Sequence, residues 1–363
     1  VRVTDTWGNS ADATITIVAS LTISPASRSM VVNRSATPNF SATGGMAPLV
    51  YSIASGGGTI DSSTGAFTAP ATAQTVTVRV TDALANTNDA TVEVVTPVRV
   101  YSGSASAHTC LKFSNAKIKC WGAGGSGRLG QGSTVNIGDG ANEINESLSY
   151  VELGAGFNVD HVSTGSTHTC AVSTTGSLKC WGGNASGQLG LGDVLARGDT
   201  VGEMDDALPA VNVGTGRTVV QVAAGQDHTC ALLDDSTIKC WGLNTSGQLG
   251  IGSTVTIGDG AGEMGNSLAV TRLSTTATPT AIYAGYLHNC AILSDNTLKC
   301  WGAGQQGRLG QGSMTTRGDG AGEMGNSLAV SALGTALSPD FPSLGSNFSC
   351  ARLTRNVDKC WGR

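Results

Sequence analysis

Charge is scarce in this chain. Asp, Glu, Lys and Arg make up 13% of its 363 residues, and the net charge is −5. Surfaces that hold nucleic acid need clustered Lys and Arg, so this balance argues against such a partner. No block of like charges occurs, which leaves no solvated charged tail and no electrostatic membrane patch. No run of about 18 apolar residues occurs, so no segment reads as a membrane-spanning helix. Cysteine is missing from the first 109 residues, and all ten cysteines lie at or after Cys110. A signal peptide is also missing. The chain opens on Val1-Arg2-Val3-Thr4-Asp5 and stops at Cys360-Trp361-Gly362-Arg363, each inside a repeated pattern. The expectation is a segment of a longer protein.

What is abundant is glycine, at 51 residues, together with Val, Thr and Ile. That composition reads as turns and short strands, an all-β chain. The cysteine-free front contains an echo. VRVTDTWGNSADATITIV at 1–18 returns as VRVTDALANTNDATVEVV at 78–95, an offset of 77 residues. Asp5 matches Asp82, Asn9 matches Asn86 and Asp12 matches Asp89. Each copy reads as strand, polar turn, strand, because apolar residues alternate along Val76, Val78 and Val80 and again along Val92 and Val94. Residues 1–18 are therefore expected to close one domain, and 19–97 to form the next complete copy.

Further strand-sized runs lie at Leu21-Thr22-Ile23, Met30-Val31-Val32, Phe40-Ser41-Ala42, Val50-Tyr51-Ser52-Ile53 and Phe67-Thr68-Ala69. Glycine-rich turns separate them, and this many short strands in so few residues predicts a β-sandwich. The stretch from Phe40 to Pro48, the run from Gly57 to Phe67 and the V-T-D hairpins resemble bacterial immunoglobulin-like domains, which occur in tandem on surface proteins. The resemblance implies a rigid spacer with no catalytic role.

The back half repeats every 60 residues. Its third copy shows the unit: a strand at 219–225, His228-Thr229-Cys230-Ala231-Leu232-Leu233, Thr237-Ile238-Lys239-Cys240-Trp241-Gly242, a turn at 244–250, an acidic loop and a short strand at Val270-Thr271-Arg272-Leu273. Four strands per exact repeat predict a propeller blade, since radial repetition buries both faces of each sheet. The motifs G-x-x-H-T-C-A-L, x-K-C-W-G and G-Q-L-G-x-G resemble the regulator-of-chromosome-condensation repeat over residues 98–363, in the cysteine-bearing form of secreted bacterial proteins. The resemblance implies a propeller, usually of seven blades. Five hairpins are present here, so a partial or atypically closed ring is expected.

The cysteines are ten apart in every copy. A hairpin turn at Ser173-Thr174-Thr175-Gly176-Ser177 makes Cys170 and Cys180 equidistant from Thr175, hence opposed on adjacent strands. Opposed Cβ atoms approach disulfide distance. The expected pairs are Cys110–Cys120, Cys170–Cys180, Cys230–Cys240, Cys290–Cys300 and Cys350–Cys360. The competing reading is zinc, because His108, His168, His228 and His288 each precede a cysteine by two. It is disfavoured by the wide cysteine spacing and by Phe348, which replaces the histidine while Cys350 and Cys360 remain. The histidines are expected to be hydrogen-bonded structural residues at strand starts. The tryptophan after each second cysteine is expected to pack on the next blade.

A carboxylate pair also recurs: Asp139/Glu143, Asp199/Glu203, Asp259/Glu263 and Asp319/Glu323, in G-D-x-x-x-E. Two carboxylates plus loop carbonyls could begin a calcium site, making these eight residues the calcium candidates. The plainer reading is a Gly-Asp turn whose glutamate accepts backbone N–H bonds. Met204, Met264, Met324 and Ile144, with Leu148, Leu208, Leu268 and Leu328, would pin such a loop to its blade. No other cofactor is implied, and four copies of a catalytic carboxylate pair have no rationale.

No catalytic constellation emerges, so the expectation is a non-enzyme. Disulfides at this density imply an oxidising compartment, extracellular or at the cell surface. The leading expectation is a bacterial surface or secreted protein in which an immunoglobulin-like stalk presents the propeller for adhesion, through protein or glycan binding. The alternatives are a subunit of an extracellular fibre, partnered by copies of itself, and a secreted protein inhibitor; the resemblance allows the latter, since related secreted propellers include β-lactamase inhibitors. Residues that differ at equivalent repeat positions are expected to carry specificity, among them Arg128 and Arg308 against Gln188 and Gln248, and Tyr286-Leu287 against Gln226-Asp227.

Overall fold

The computed structural model describes residues 2–4, 10–12, 18–36, 39–104, 106–334 and 337–363. It divides into two compact units, Val1–Pro97 and Val98–Arg363, and among the described residues the regular elements are β-strands and short 3-10 turns.

In the first unit, Arg2–Thr4 pairs antiparallel with Ser10–Asp12. Asp5 and Asn9 of the echo lie outside the described residues. The remainder is built from a four-stranded sheet in the order Ser27–Val31, Thr87–Val95, Gln74–Thr81, Val50–Ser55, with two short two-stranded sheets. Alternation decides what is buried. Val76, Val78 and Val80 from one strand meet Val92 and Val94 from its neighbour, with Met30, Phe40 and Phe67 closing the core. The buried Asp82 explains the V-T-D motif. Its carboxylate accepts the backbone N–H groups of Met46, Leu84 and Asn86 at 2.9–3.0 Å, tying the hairpin turn to a second loop.

The second unit is five repeats of one three-stranded antiparallel sheet. In the third repeat the strands are Val219–Ala224, His228–Leu233 and Ile238–Gly242. The hairpin between the second and third strands places cysteine opposite cysteine, as in Cys230↔Cys240. The turn needs a left-handed residue at its end, and Ala116, Gly176, Ser236, Asn296 and Asn356 all have φ between 57° and 79°.

The fourth strand is reduced to a single bridge in the third and fourth repeats, Lys239↔Val270 and Lys299↔Val330. The segment is held instead by side chains: Lys299 Nζ donates to Leu273 O and Thr271 Oγ1 donates to Leu249 O, both at 2.7 Å.

Each hydrophobic core lies between neighbouring repeats. Cys110, Ile118, Cys120 and Leu129 of the first repeat share a cluster with Val162, Ala171 and Trp181 of the second. Buried Trp241 and Trp301 occupy the same place in the following clusters. The tryptophan therefore packs on the preceding repeat, which corrects the expectation of the next one. The cause is its indole N–H, which finds a carbonyl on the preceding turn, Gln188 O for Trp241 at 3.0 Å.

Candidate functional site

The five hairpins are covalently closed. Cys110–Cys120, Cys170–Cys180, Cys230–Cys240, Cys290–Cys300 and Cys350–Cys360 are all disulfide-bonded, with Cα separations of 4.0–4.1 Å. Among the described residues no cysteine is free. Such opposed positions are the close, non-hydrogen-bonded pairs of an antiparallel ladder.

The histidines face the following repeat. His108 Nε2 meets Thr169 Oγ1, His168 meets Thr229, His228 meets Asn289 Oδ1 and His288 meets Ser349 Oγ, at 2.6–3.0 Å. Each partner then donates to a carbonyl of the preceding turn: Thr229 Oγ1 to Gln188 O at 2.8 Å, and Asn289 Nδ2 to Gln248 O at 2.8 Å. The tryptophan indole donates to that same carbonyl. One carbonyl thus collects two donors from the next repeat. Because the hydroxyl proton of Thr229 is committed to Gln188 O, the imidazole Nε2 carries the proton in the bond to Thr229. Burial pushes the imidazoles down to about 3 for His108, His168 and His288 and about 4 for His228, so all four are neutral at pH 7. With their sulfurs bonded to one another and the imidazoles committed to the next repeat, these residues form no metal site.

The acidic loops share one local structure. Glu143 Oε2 accepts Gly138 N and Gly140 N at 2.6 and 2.9 Å, and Glu263 Oε2 accepts Gly258 N and Gly260 N at 2.7 and 2.9 Å. Glu203 and Glu323 repeat the pattern. Burial pushes the Glu203 carboxyl up, but the Thr200 and Gly198 groups outweigh it and hold it below the ordinary range. Burial and the adjacent Glu203 raise Asp199. Among the described residues, Asp139, Asp199, Asp259 and Asp319 join no group of three His, Cys, Asp or Glu side chains fit for a metal.

The positions expected to carry specificity are turned inward. Arg128 Nη1 donates to Ser166 O at 2.7 Å, and buried Arg308 does the same to Ser346 O at 3.0 Å. Gln188 Nε2 reaches Asp227 Oδ1 at 3.3 Å. Guanidinium and amide perform the same task, holding one repeat to the next. Tyr286 accepts Gln226 N through its backbone O at 3.0 Å, so this pair also links repeats.

A different ring of residues faces open space. The first strand of every repeat contributes to a shared central cavity of about 520 Å³, whose lining includes Arg99, His161, Gln221, Tyr283 and Phe341. Position 101 and its equivalents are five different residues, Tyr101, His161, Gln221, Ala281 and Phe341; of these His161, Gln221 and Phe341 line the cavity, and Tyr101 is buried. In repeats two to five a bulge precedes this position, at Val159/His161, Val219/Gln221, Pro279/Ala281 and Pro339/Phe341. A bulge re-aims the side chain that follows it. Some of these residues also link strands: His161 Nε2 donates to Val222 O at 3.0 Å, and Gln221 Nε2 to Ile282 O at 2.8 Å. Phe341 stays 54% exposed and stands edge-on to Tyr283, with ring centroids 6.0 Å apart. Sequence reading missed this ring. The available signal was its five-fold dissimilarity inside an otherwise uniform repeat.

Comparison with known proteins agrees with this geometry. Residues 159–188, 219–248 and 280–308 match the family described as the Regulator of chromosome condensation (RCC1) repeat, and residues 175–232 match a second description of that repeat. The Arabidopsis thaliana Ultraviolet-B receptor UVR8 is 27% identical over 206 residues, which is 55% of this chain and 40% of that protein. The human E3 ubiquitin-protein ligase HERC2 is 28% identical over 224 residues, 60% of this chain and 4% of that one. The chain thus spans less than half the length of these relatives. Human WBSCR16 superposes with a TM-score of 0.55 at 18% identity, covering 74% of this chain and 62% of that one. Yeast RCC1 (Prp20), solved bound to Kap60, gives 0.54 at 19% identity, covering 74% and 56%. The second unit carries RCC1-type repeats in a propeller fold.

Proposed function

We propose that this chain is a non-catalytic extracellular binding protein. Its disulfide-stapled propeller takes a protein or glycan partner at the central cavity. The unit ahead of the propeller serves as an immunoglobulin-like stalk on a bacterial surface or secreted protein. The observation that carries the compartment is the complete pairing of the ten cysteines in five hairpins, since reducing compartments do not sustain such a set. What supports the binding role is a cavity lined from every repeat by unlike side chains, the arrangement expected of a surface that reads one partner. Aromatic and arginine residues such as Phe341, Tyr283 and Arg99 are the types that dominate binding energy. RCC1-type structures are known with protein partners, Kap60 for yeast RCC1 and Gsp1p and histones for Prp20p. The net charge of −5 argues against a nucleic-acid partner for this chain.

Two measurements test the proposal. Intact mass after denaturing alkylation without reductant, on protein from its native source, is expected to show no adduct. Ten adducts would overturn the extracellular reading. Labelled chain is then applied to intact cells, with Phe341→Ala and Arg99→Ala alongside. Each substitution is expected to weaken binding by about tenfold, equivalent to about 1.4 kcal/mol. Binding that neither substitution changes would remove the cavity from the interface.

A further inference from the structure

The first strand of each repeat lies at the end of its sheet, so one of its edges has no strand partner there. In the third and fourth repeats, side chains of the preceding repeat close that edge. His161 Nε2 donates to Val222 O at 3.0 Å. Gln221 donates to Ile282 O at 2.8 Å and accepts Ile282 N at 3.0 Å. Ser163 Oγ accepts Ala224 N at 2.9 Å. In the opposite direction, Thr164 Oγ1 accepts Gly103 N at 2.6 Å. An extended peptide joins a sheet through free backbone N–H and C=O groups, and here those groups are taken. An occupant of the central cavity is therefore read by side chains.

The series of edge bonds breaks where the fourth repeat meets the fifth. Ala281 stands at the position of His161 and Gln221 and has no polar group. Pro342 stands at the position of Val222 and Ile282 and has no N–H. Rings occupy this seam instead, Tyr283 edge-on to Phe341. Burial pushes the Tyr283 phenol up, with Asp340 adding to it, so it stays an O–H donor at neutral pH. Among the described residues the hydroxyls of Tyr283, Ser102 and Ser343 make no hydrogen bond, and all three residues line the cavity. An aromatic face beside uncommitted hydroxyls suits a ligand that is itself a ring bearing hydroxyls.

Charge narrows the class further. In a chain of net charge −5, the cavity lining holds one cation, Arg99, and no carboxylate. Burial keeps His161 neutral by pushing its imidazole down. Asp160 and Asp340 act on the cavity's rings without belonging to its lining, and Asp160 is held by Lys112 at 3.7 Å. Arg99 forms no ion pair among the described residues, and its Cζ is propped 5.2 Å over the ring of Tyr101. A planar guanidinium matches a carboxylate through two parallel bonds. A doubly charged phosphate would leave half of its charge without a partner here. We propose that the central cavity binds a uronic-acid residue of an acidic glycan, its carboxylate on Arg99 and its ring against Tyr283 and Phe341. The cavity of about 520 Å³ has the size of a small-ligand site. This assignment names the ligand class of the cavity and rests on the binding role proposed for it.

The test is calorimetric titration of the 363-residue chain with short oligomers of galacturonate, glucuronate and mannuronate. The methyl ester of each keeps the ring and removes the charge, and hexaglutamate supplies the charge without the ring. At least one uronate is expected to bind, and its ester about tenfold more weakly. In Arg99→Gln that uronate and its ester are expected to bind alike, at the strength of the ester on the unaltered chain, which also shows that the variant folds. Tyr283→Phe is expected to weaken acid and ester by the same factor. Absence of binding by all three uronates, esters as tight as the acids, or hexaglutamate as tight as the best uronate would each overturn the proposal. If no uronate binds while Arg99→Ala still weakens attachment to cells, the ligand class fails and the cavity remains the interface. If no uronate binds and neither Arg99→Ala nor Phe341→Ala changes attachment, both readings fail.

Discussion

His228 Nε2 stands 3.0 Å from Asn289 Oδ1, so a buried imidazole in one repeat is bonded to a side chain of the next. The acceptor has no proton to give, which fixes the proton on Nε2 and leaves Nδ1 bare. Nδ1 of His168, His228 and His288 is buried without a partner among the described residues. A second proton would have to enter there, uncompensated.

That geometry sets a pH dependence. Desolvation lowers the four folded-state histidines to about 3 or 4, against about 6.5 when unfolded. Between those values the unfolded chain binds more protons than the folded one. Stability therefore falls as pH drops from 6.5 towards 4, each histidine contributing up to about 1.4 kcal/mol per pH unit. Asp199, Asp227 and Asp319, whose carboxyls burial raises, act in the opposite sense above about pH 3.8. The melting temperature is expected to decline from pH 7 to pH 4.5. His228→Phe, which copies the residue at position 348, is expected to cost about 1–3 kcal/mol at pH 7 by stranding Asn289. The same substitution is expected to flatten the pH slope. An unchanged slope in calorimetry would contradict the assignment.

The indole joints rank the repeats. Trp241 and Trp301 are fully buried and donate to Gln188 O and Gln248 O, whereas Trp361 is half-buried and donates to Arg308 O at 2.8 Å. Trp301→Ala is expected to cost about 3–5 kcal/mol, and Trp361→Ala clearly less. Repeat arrays lose stability locally, so hydrogen exchange is the suitable readout. Trp301→Ala should release protection in repeats three and four together, because its cluster joins Cys230 and Leu249 to Ala291 and Leu328.

Much of this was legible from spacing alone. Cysteines ten apart around an odd-length turn must face one another, and the structure pairs Cys170 with Cys180. Alternation gave the buried face of residues 76–80 for the same reason. Direction was not legible. Period-two patterning says that Trp241 points away from Cys240's face, but not which neighbour waits there; that depends on the carbonyl of Gln188. Nor did side-chain difference reveal function by itself. Arg128 and Gln188 differ in charge yet serve one joint, and the positions from His161 to Phe341 follow a bulge that shifts the strand's faces, an irregularity that alternation hides. Nor were the lysine bonds that hold the fourth segment legible, since they act across 26 residues, as from Lys299 to Leu273.

The hairpin turns offer a gain. Ser236 holds φ at 61°, where Gly176 sits in the equivalent turn at 79°. A left-handed residue with a Cβ costs about 1 kcal/mol relative to glycine. Ser236→Gly is expected to raise the midpoint of denaturant unfolding modestly, and Gly176→Ala to lower it by a similar amount. Both changes leave Cys170–Cys180 and Cys230–Cys240 in place, so a shift of the same sign in the two variants would refute the turn argument.

The acidic loops separate a structural carboxylate from a calcium ligand. Glu203 Oε2 accepts Gly198 N at 2.9 Å and Thr200 N at 3.1 Å, which occupies the oxygen that a cation would need. Replacing it by Gln keeps one acceptor but removes the charge from two bonds, and bonds to a charged acceptor contribute about 1.5–3 kcal/mol. Glu203→Gln is expected to destabilise by about 1–2 kcal/mol, and millimolar calcium is expected to leave the melting temperature of the unaltered chain unchanged. A ligand that binds only the folded state must raise that temperature. A calcium-dependent rise, abolished in Glu203→Gln, would therefore return Asp199 and Glu203 to the metal reading. A loss of stability with no calcium response fixes the glutamate as the clasp that shapes each loop for its seat on the preceding repeat.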